Sequence, residues 1–83
     1  MIIGGDIMDV KEIVYHILQA INAGEKNITA DNLKIDEKTF RDLCEWIQDN
    51  NWTVGINFQY YQVDFSNAKL TNKGKNYLMQ KSI

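Results

Sequence analysis

The chain has 83 residues, of which 45% are hydrophobic and 24% charged, ordinary values for one small globular domain. One cysteine excludes an intramolecular disulfide, and one cysteine with one histidine excludes a zinc site built from those residue types, so a reducing, cytoplasmic environment is expected. The net charge of −2 is unevenly spread: residues 1–50 hold five Lys or Arg against ten Asp or Glu, a net −5, whereas residues 51–83 hold four Lys against one Asp, a net +3.

Residues 1–8 have neither the basic region of a signal peptide nor the apolar length of a membrane span. We expect them to be a flexible arm or a tag remnant. A first helix is predicted over about 9–22, with Asp9 as N-cap and Gly24 just past its end. His16 lies off the apolar stripe of this helix and is expected to be solvated. The stripe recurs at helical spacing and consists of Val10, Ile13, Val14, Ile17, Leu18 and Ile21.

Two short helices joined by a three-residue turn are predicted next, as a helix-turn-helix. Ile28 is an isolated apolar residue that indicates a short strand, and Thr29 is suited to cap a helix over about 30–34. Asp36 caps the third helix, and Asn51 is suited to the left-handed position after it. The apolar stripe of the third helix is Phe40, Leu43, Cys44 and Ile47.

The hydrophobic period then changes to two, which is typical of strands. Apolar residues alternate through 52–58 and again through 61–65, so a hairpin is predicted with its turn near Gln59–Tyr60. Placing Phe58 opposite Tyr61 puts Trp52, Val54, Ile56, Phe58, Tyr61, Val63 and Phe65 on one face. The turn lacks Asn-Gly, which leaves a longer loop open.

The last helix is predicted over about 72–81, with Thr71 as its cap and Tyr77 and Leu78 inward. Gly74 in this helix and Gly55 in the hairpin are expected where another element approaches closely. Together the elements predict an α+β fold over residues 9–83: a winged helix-turn-helix, with a three-helix core, a β-hairpin wing and a C-terminal helix.

Three stretches resemble one known family: LKIDEKTF, IQDNNW and FSNAKLTNKGKNYL. Together they resemble the YjcQ-like winged-helix proteins of Gram-positive bacteria and their phages, over about Val10 to Ser82. Lys34 and Asn51 stand where that family commonly has glycine. The resemblance implies a winged helix, and it implies either DNA binding or a role in the virion.

Nothing in the sequence indicates catalysis. Cys44 lies within an apolar stripe, where a thiol is expected to be buried and unreactive. The acidic residues lack metal-loop spacing, and the chain has no Gly-rich phosphate loop. We therefore expect no enzymatic activity, cofactor, metal, membrane or small-molecule substrate.

DNA binding by a phage or prophage regulator that works as a homodimer is the first functional hypothesis, with the third helix in the major groove and the wing on the backbone or in the minor groove. The C-terminal third, which carries the positive charge, is expected to take part. Three acidic residues on the solvent face of the third helix, Asp42, Glu45 and Asp49, oppose duplex binding. The candidate nucleic-acid contacts are Lys38, Thr39, Arg41, Gln59, Tyr60, Lys69 and Lys73.

The alternative is a protein-interaction module of phage origin, either structural or host-protein-binding, that uses the same fold without binding DNA. Tyr60 at the wing tip and Trp46 on the third helix are its candidate contacts, because exposed aromatic residues anchor interfaces. Trp46 lies off the core stripe, so it either packs under the first helix or the N-terminal arm, or is exposed to a partner protein or a second subunit. The basic C-terminal third and the winged-helix fold favour DNA binding. The acidic face of the third helix and the exposed aromatic residues favour a protein partner.

Overall fold

Four helices and two short antiparallel strand pairs form the part of the chain that a computed structural model describes, residues 10–59 and 62–81. The fold is α+β and compatible with a winged helix, as predicted. The arm predicted over 1–8 and the cap predicted at Asp9 lie outside the described residues. The elements are α1 (Val10–Asn22), α2 (Ala30–Leu33), α3 (Glu37–Asp49), β1 (Thr53–Val54), β2 (Asn57–Phe58), β3 (Val63–Asp64), β4 (Lys69–Leu70) and α4 (Asn72–Lys81).

The three predicted caps in the described chain are confirmed. The side chains of Thr29, Asp36 and Thr71 accept hydrogen bonds from backbone N–H groups three residues on, at 3.2, 3.1 and 3.0 Å. Each bond satisfies a donor that the first helical turn leaves free. Gly24 has the predicted left-handed conformation after α1, with φ of 83°.

The turn between α2 and α3 has three residues, as predicted. Lys34 adopts the left-handed conformation, with φ of 59° and ψ of 41°, so α2 ends one residue earlier than expected. Its backbone N–H caps the carbonyls of Ala30 and Asp31. Asn51 is also left-handed, with φ of 63°, which confirms its predicted position after α3.

The hairpin register differs from the prediction. Asn57 pairs with Asp64 and Phe58 pairs with Val63, so placing Phe58 opposite Tyr61 was wrong. Beyond this pair, the backbone N–H of Gln59 donates to the Gln62 carbonyl at 2.9 Å. The two residues between them lie outside the described chain, so the predicted turn near Gln59–Tyr60 is described only up to Gln59.

Gly55 divides the first arm of the hairpin into β1 and β2. It is left-handed, with φ of 84°, and a Cβ there would overlap the Asn67 carbonyl, so the predicted close approach is confirmed. The kink shifts the alternation: Thr53 and Ile56 are buried, whereas Val54 is 52% exposed. The prediction of an uninterrupted inward face through Val54 was therefore wrong.

The second arm of the hairpin, which begins with β3, also contains β4. This strand was not predicted, and it pairs with β1. The Gln48 amide bridges the gap left by the kink, because its Nε2 donates to the Ile56 carbonyl at 3.2 Å and its Oε1 accepts from the Ile56 N–H at 2.9 Å. A side chain of α3 thus replaces a strand partner.

The core lies between α1, α3 and the base of the hairpin. Ile28 is buried in it, but the short strand predicted there does not form in the described chain. The predicted stripes of α1 and α3 supply most of the rest, except that Val10 is exposed and Leu43 only partly buried. The buried apolar residues are Ile13, Val14, Ile17, Leu18, Ile21, Ile28, Ala30, Phe40, Cys44, Ile47, Ile56, Phe65, Ala68 and Leu78.

Candidate functional site

A cleft of about 530 Å³ lies between the loop that precedes α2, the N-terminal half of α3 and the hairpin. Three cationic residues line it: Lys26 from the loop, and Lys38 and Arg41 from α3. Glu37 is the acidic residue of the described lining, and the Asp64 carboxylate lies near Lys26. We call this the basic cleft.

Arg41 joins α3 to the hairpin. Its guanidinium donates to the Gln59 carbonyl at 2.7 Å and lies 5.4 Å from the centre of the Phe58 ring. Its Nε is 3.9 Å from a carboxylate oxygen of Glu45. Arg41 therefore holds the hairpin against α3 and also lines the cleft.

Lys38 and Thr39 are exposed at the start of α3. The Lys38 ammonium is 3.0 Å from a carboxylate oxygen of Asp42, and this hydrogen bond raises the pKa of Lys38. The Thr39 hydroxyl donates to Asp36 at 2.6 Å, and hydrogen bonds from Thr39 lower the pKa of the Asp36 carboxyl. Both side chains point to solvent but already have partners within α3 or its cap.

The remaining predicted contacts are more dispersed. Gln59 is exposed beside Arg41, at the end of β2. Lys69 in β4 and Lys73 in the first turn of α4 are exposed and do not line the basic cleft. Tyr60 lies outside the described residues.

Lys26 was not among the predicted contacts. The sequence places it in a polar loop 12 residues before Lys38, without helical or strand periodicity to link the two. Only the packing of Ile28 into the core brings this loop to the cleft. In the sequence, only the apolar Ile28, two residues after Lys26, indicated that this loop packs against the rest of the domain.

Three aromatic side chains form a continuous row on another part of the surface. The Trp46 and Trp52 rings meet edge to face at 5.2 Å between centres, and Trp52 stacks on Tyr77 at 4.3 Å. Trp46 is 48% exposed, so it lies against Trp52 at the surface instead of beneath α1. We call these three residues the aromatic row.

Opposite charges flank the two ends of the aromatic row. Asp42 and Asp49 lie one turn either side of Trp46 on α3, and Lys73 lies one turn before Tyr77 on α4. All three are exposed, and Asp49 and Lys73 have no ion-pair partner in the part of the chain that the structure describes. The row thus has an acidic end and a basic end.

The predicted core position of Cys44 is confirmed. Its side chain is fully buried, and burial, with a smaller contribution from the Glu45 carboxylate, raises the pKa of the thiol to about 12. Such a thiol carries almost no thiolate at neutral pH.

Within residues 10–59 and 62–81, no group of His, Cys, Asp or Glu side chains is arranged to hold a metal ion. No helix in these ranges has the length and apolar character needed to cross a membrane.

Comparison with known proteins identifies a family. A family model described as YjcQ protein matches residues 11–83. No curated protein and no solved structure matches the chain. The matched range contains every element that forms the basic cleft and the aromatic row.

Proposed function

The chain belongs to the YjcQ family, and we propose that it is a small, non-enzymatic DNA-binding protein of the transcription-regulator type, carried by phages or prophages. Duplex DNA contacts the N-terminal half of α3 and the adjoining hairpin, as in other winged helices. The proposed phage context rests on the family resemblance of the sequence.

The observation that carries this proposal is the convergence of Lys26, Lys38 and Arg41 on one cleft. In a winged helix the start of the recognition helix and the wing face the DNA together. A loop lysine beside them adds a third cation within reach of the same backbone. Cations gathered at this position are suited to phosphate groups, which supply most of the affinity of such proteins.

The neighbouring acidic residues limit the affinity without blocking it. The Lys38–Asp42 pair is exposed, and exposed ion pairs contribute little to stability, so a phosphate can replace Asp42 as the partner of Lys38. Toward its C-terminus α3 presents Glu45 and Asp49, which phosphates repel. We therefore expect only the first turns of α3 to approach DNA, with dissociation constants of about 1–100 μM at low salt.

Fluorescence anisotropy with a labelled duplex at two salt concentrations tests the proposal. The logarithm of the binding constant is expected to fall with the logarithm of salt concentration with a slope of about −2 to −3, because each neutralised phosphate contributes about −0.9. Lys26→Ala is expected to reduce this slope by about one.

Lys75→Ala is the matched control, because it removes the same charge from an exposed site on α4 outside the cleft. It should leave the slope unchanged. If no complex forms at low salt with tens of micromolar protein, DNA binding is rejected; equal losses from the two variants would reject the cleft as the contact surface.

A second candidate is a phage-derived protein-interaction module, structural or host-protein-binding. The half-exposed Trp46 beside an acidic helix face favours it, since exposed aromatic residues are enriched at interfaces. Chemical cross-linking in a host lysate, followed by mass spectrometry, distinguishes it. A heterologous protein cross-linked beside Trp46, together with the absence of DNA binding, is the result that this candidate requires.

A further inference from the structure

The aromatic row leaves much of the Trp46 indole in water. Trp46 contacts Trp52 at one edge, and 48% of its surface stays accessible. Val54, which pairs with Lys69 on the face of β1 opposite the buried Thr53, is also 52% exposed. Exposed apolar groups held by rigid stacking are the features that anchor protein interfaces.

The charges around the row indicate what covers it. A two-fold axis makes each surface contact its own copy, so that a residue at one end meets the residue at the other end. At the acidic end stands Asp49, and at the basic end stands Lys73, both exposed and without ion-pair partners among the described residues. Turning the row over onto itself therefore places each aspartate against a lysine. A heterologous partner would need its own matching row of opposite charges.

From this self-complementarity we propose that the aromatic row binds a second copy of this chain in an isologous homodimer. Trp52, the middle ring of the row, lies near the two-fold axis, Trp46 of each protomer packs against the Tyr77 end of its partner's row, and Asp49 of each protomer faces Lys73 of its partner. The basic cleft is lined by other residues and stays open in the dimer. The dimer does not depend on DNA binding, so either proposal can fail without the other.

Sedimentation velocity over about 1–100 μM protein, without DNA, measures the association directly. The unmodified chain is expected to show a monomer–dimer equilibrium in this range. Trp46→Ala should weaken the dimer by about thirty-fold or more, because each dimer loses two exposed indoles that the interface would bury. Met79→Ala is the matched control, since Met79 is 67% exposed on α4 outside the row, and it should change the dissociation constant by less than about two-fold.

Charge reversal tests the two-fold arrangement. Asp49→Lys and Lys73→Asp are each expected to weaken self-association by about ten-fold or more, because two pairs of like charges then face each other. Neither change should unfold the protein: lysine in the last turn of α3 and aspartate in the first turn of α4 both suit the helix dipole. Circular dichroism melts verify this.

Mixing the two variants provides the decisive measurement. In a mixed dimer the lysine introduced by Asp49→Lys meets the aspartate introduced by Lys73→Asp. The original Asp49 of one chain meets the original Lys73 of the other, so affinity should return to that of the unmodified chain. A monomer throughout the concentration range overturns the proposal, as does a dimer insensitive to Trp46→Ala. Failure of the mixture to associate overturns the two-fold pairing.

Discussion

At Gly74 the absence of a side chain decides how α4 begins. A Cβ there would overlap the Trp52 carbonyl oxygen, which already accepts a hydrogen bond from the Thr71 N–H at 3.0 Å. The Thr71 hydroxyl in turn donates to the Asn51 carbonyl at 2.5 Å and caps the Gly74 N–H. One glycine and one threonine thus join the start of α4 to the end of α3.

Gly74→Ala is expected to lower the free energy of unfolding by about 1–3 kcal/mol, because overpacking against backbone outweighs the helix propensity of alanine. Asn76→Ala, on the exposed face of the same helix, should leave stability unchanged or raise it slightly. Thermal unfolding followed by circular dichroism compares them. Equal melting temperatures for the two variants would contradict the role given to Gly74.

At the scale of elements, the turn between α2 and α3 carries local strain. Lys34 occupies a left-handed conformation that side chains with a Cβ rarely adopt. The turn still forms because the backbone N–H of Lys34 donates to the carbonyls of Ala30 and Asp31 in α2. Burial of Ala30 in α2 and Phe40 in α3 also holds the two helices together. The packing of two helices therefore compensates for an unfavourable residue between them.

Lys34→Gly is expected to raise the free energy of unfolding by about 1 kcal/mol, because glycine relieves the left-handed strain and keeps the backbone cap. Asn51→Gly should have a smaller effect, since asparagine tolerates this conformation well. Urea denaturation measures both. If Lys34→Gly instead lowers the free energy of unfolding, the lysine side chain stabilises the folded chain by more than the left-handed backbone destabilises it.

For the whole molecule, the buried Cys44 couples folding to alkaline pH. Its thiol has a pKa of about 12 in the folded chain against 9.0 for an unperturbed cysteine. The folded state thus stays protonated where the unfolded state ionises. Because the pKa of the thiol is raised in the folded state, the contribution of Cys44 to the free energy of unfolding is complete below pH 9.0. This contribution is lost progressively as the pH rises towards 12.

The free energy of unfolding is expected to decrease between these pH values with a contribution of up to about 1.4 kcal/mol per pH unit from Cys44. Because lysines and tyrosines also titrate there, Cys44→Ala serves as the reference. Urea unfolding at a series of pH values should show a shallower decline for this variant. Parallel pH profiles would indicate that Cys44 is as ionisable in the folded chain as in the unfolded one.

Local sequence patterns were enough to predict the helices, their caps at Thr29, Asp36 and Thr71, and the left-handed positions of Gly24 and Asn51. These features depend on residues within about four positions of each other, where periodicity and capping chemistry act. The same patterns indicated the buried Cys44, since the α3 stripe leaves that residue facing the core. Lys38 and Arg41 were identified as candidate contacts in the same way, because helical spacing places both on the solvent face of α3, away from its apolar stripe.

Long-range packing, in contrast, set the division of the hairpin at Gly55, the pairing of Phe58 with Val63, and the partners of the site residues. Gln48 reaches Ile56 across eight positions, and Trp52 stacks on Tyr77 across 25. Such contacts arise between segments that are distant in the chain, and no local pattern encodes them. For this reason the sequence predicted a winged helix, whereas packing brought Lys26 to the basic cleft and placed Trp46 beside Trp52 at the surface.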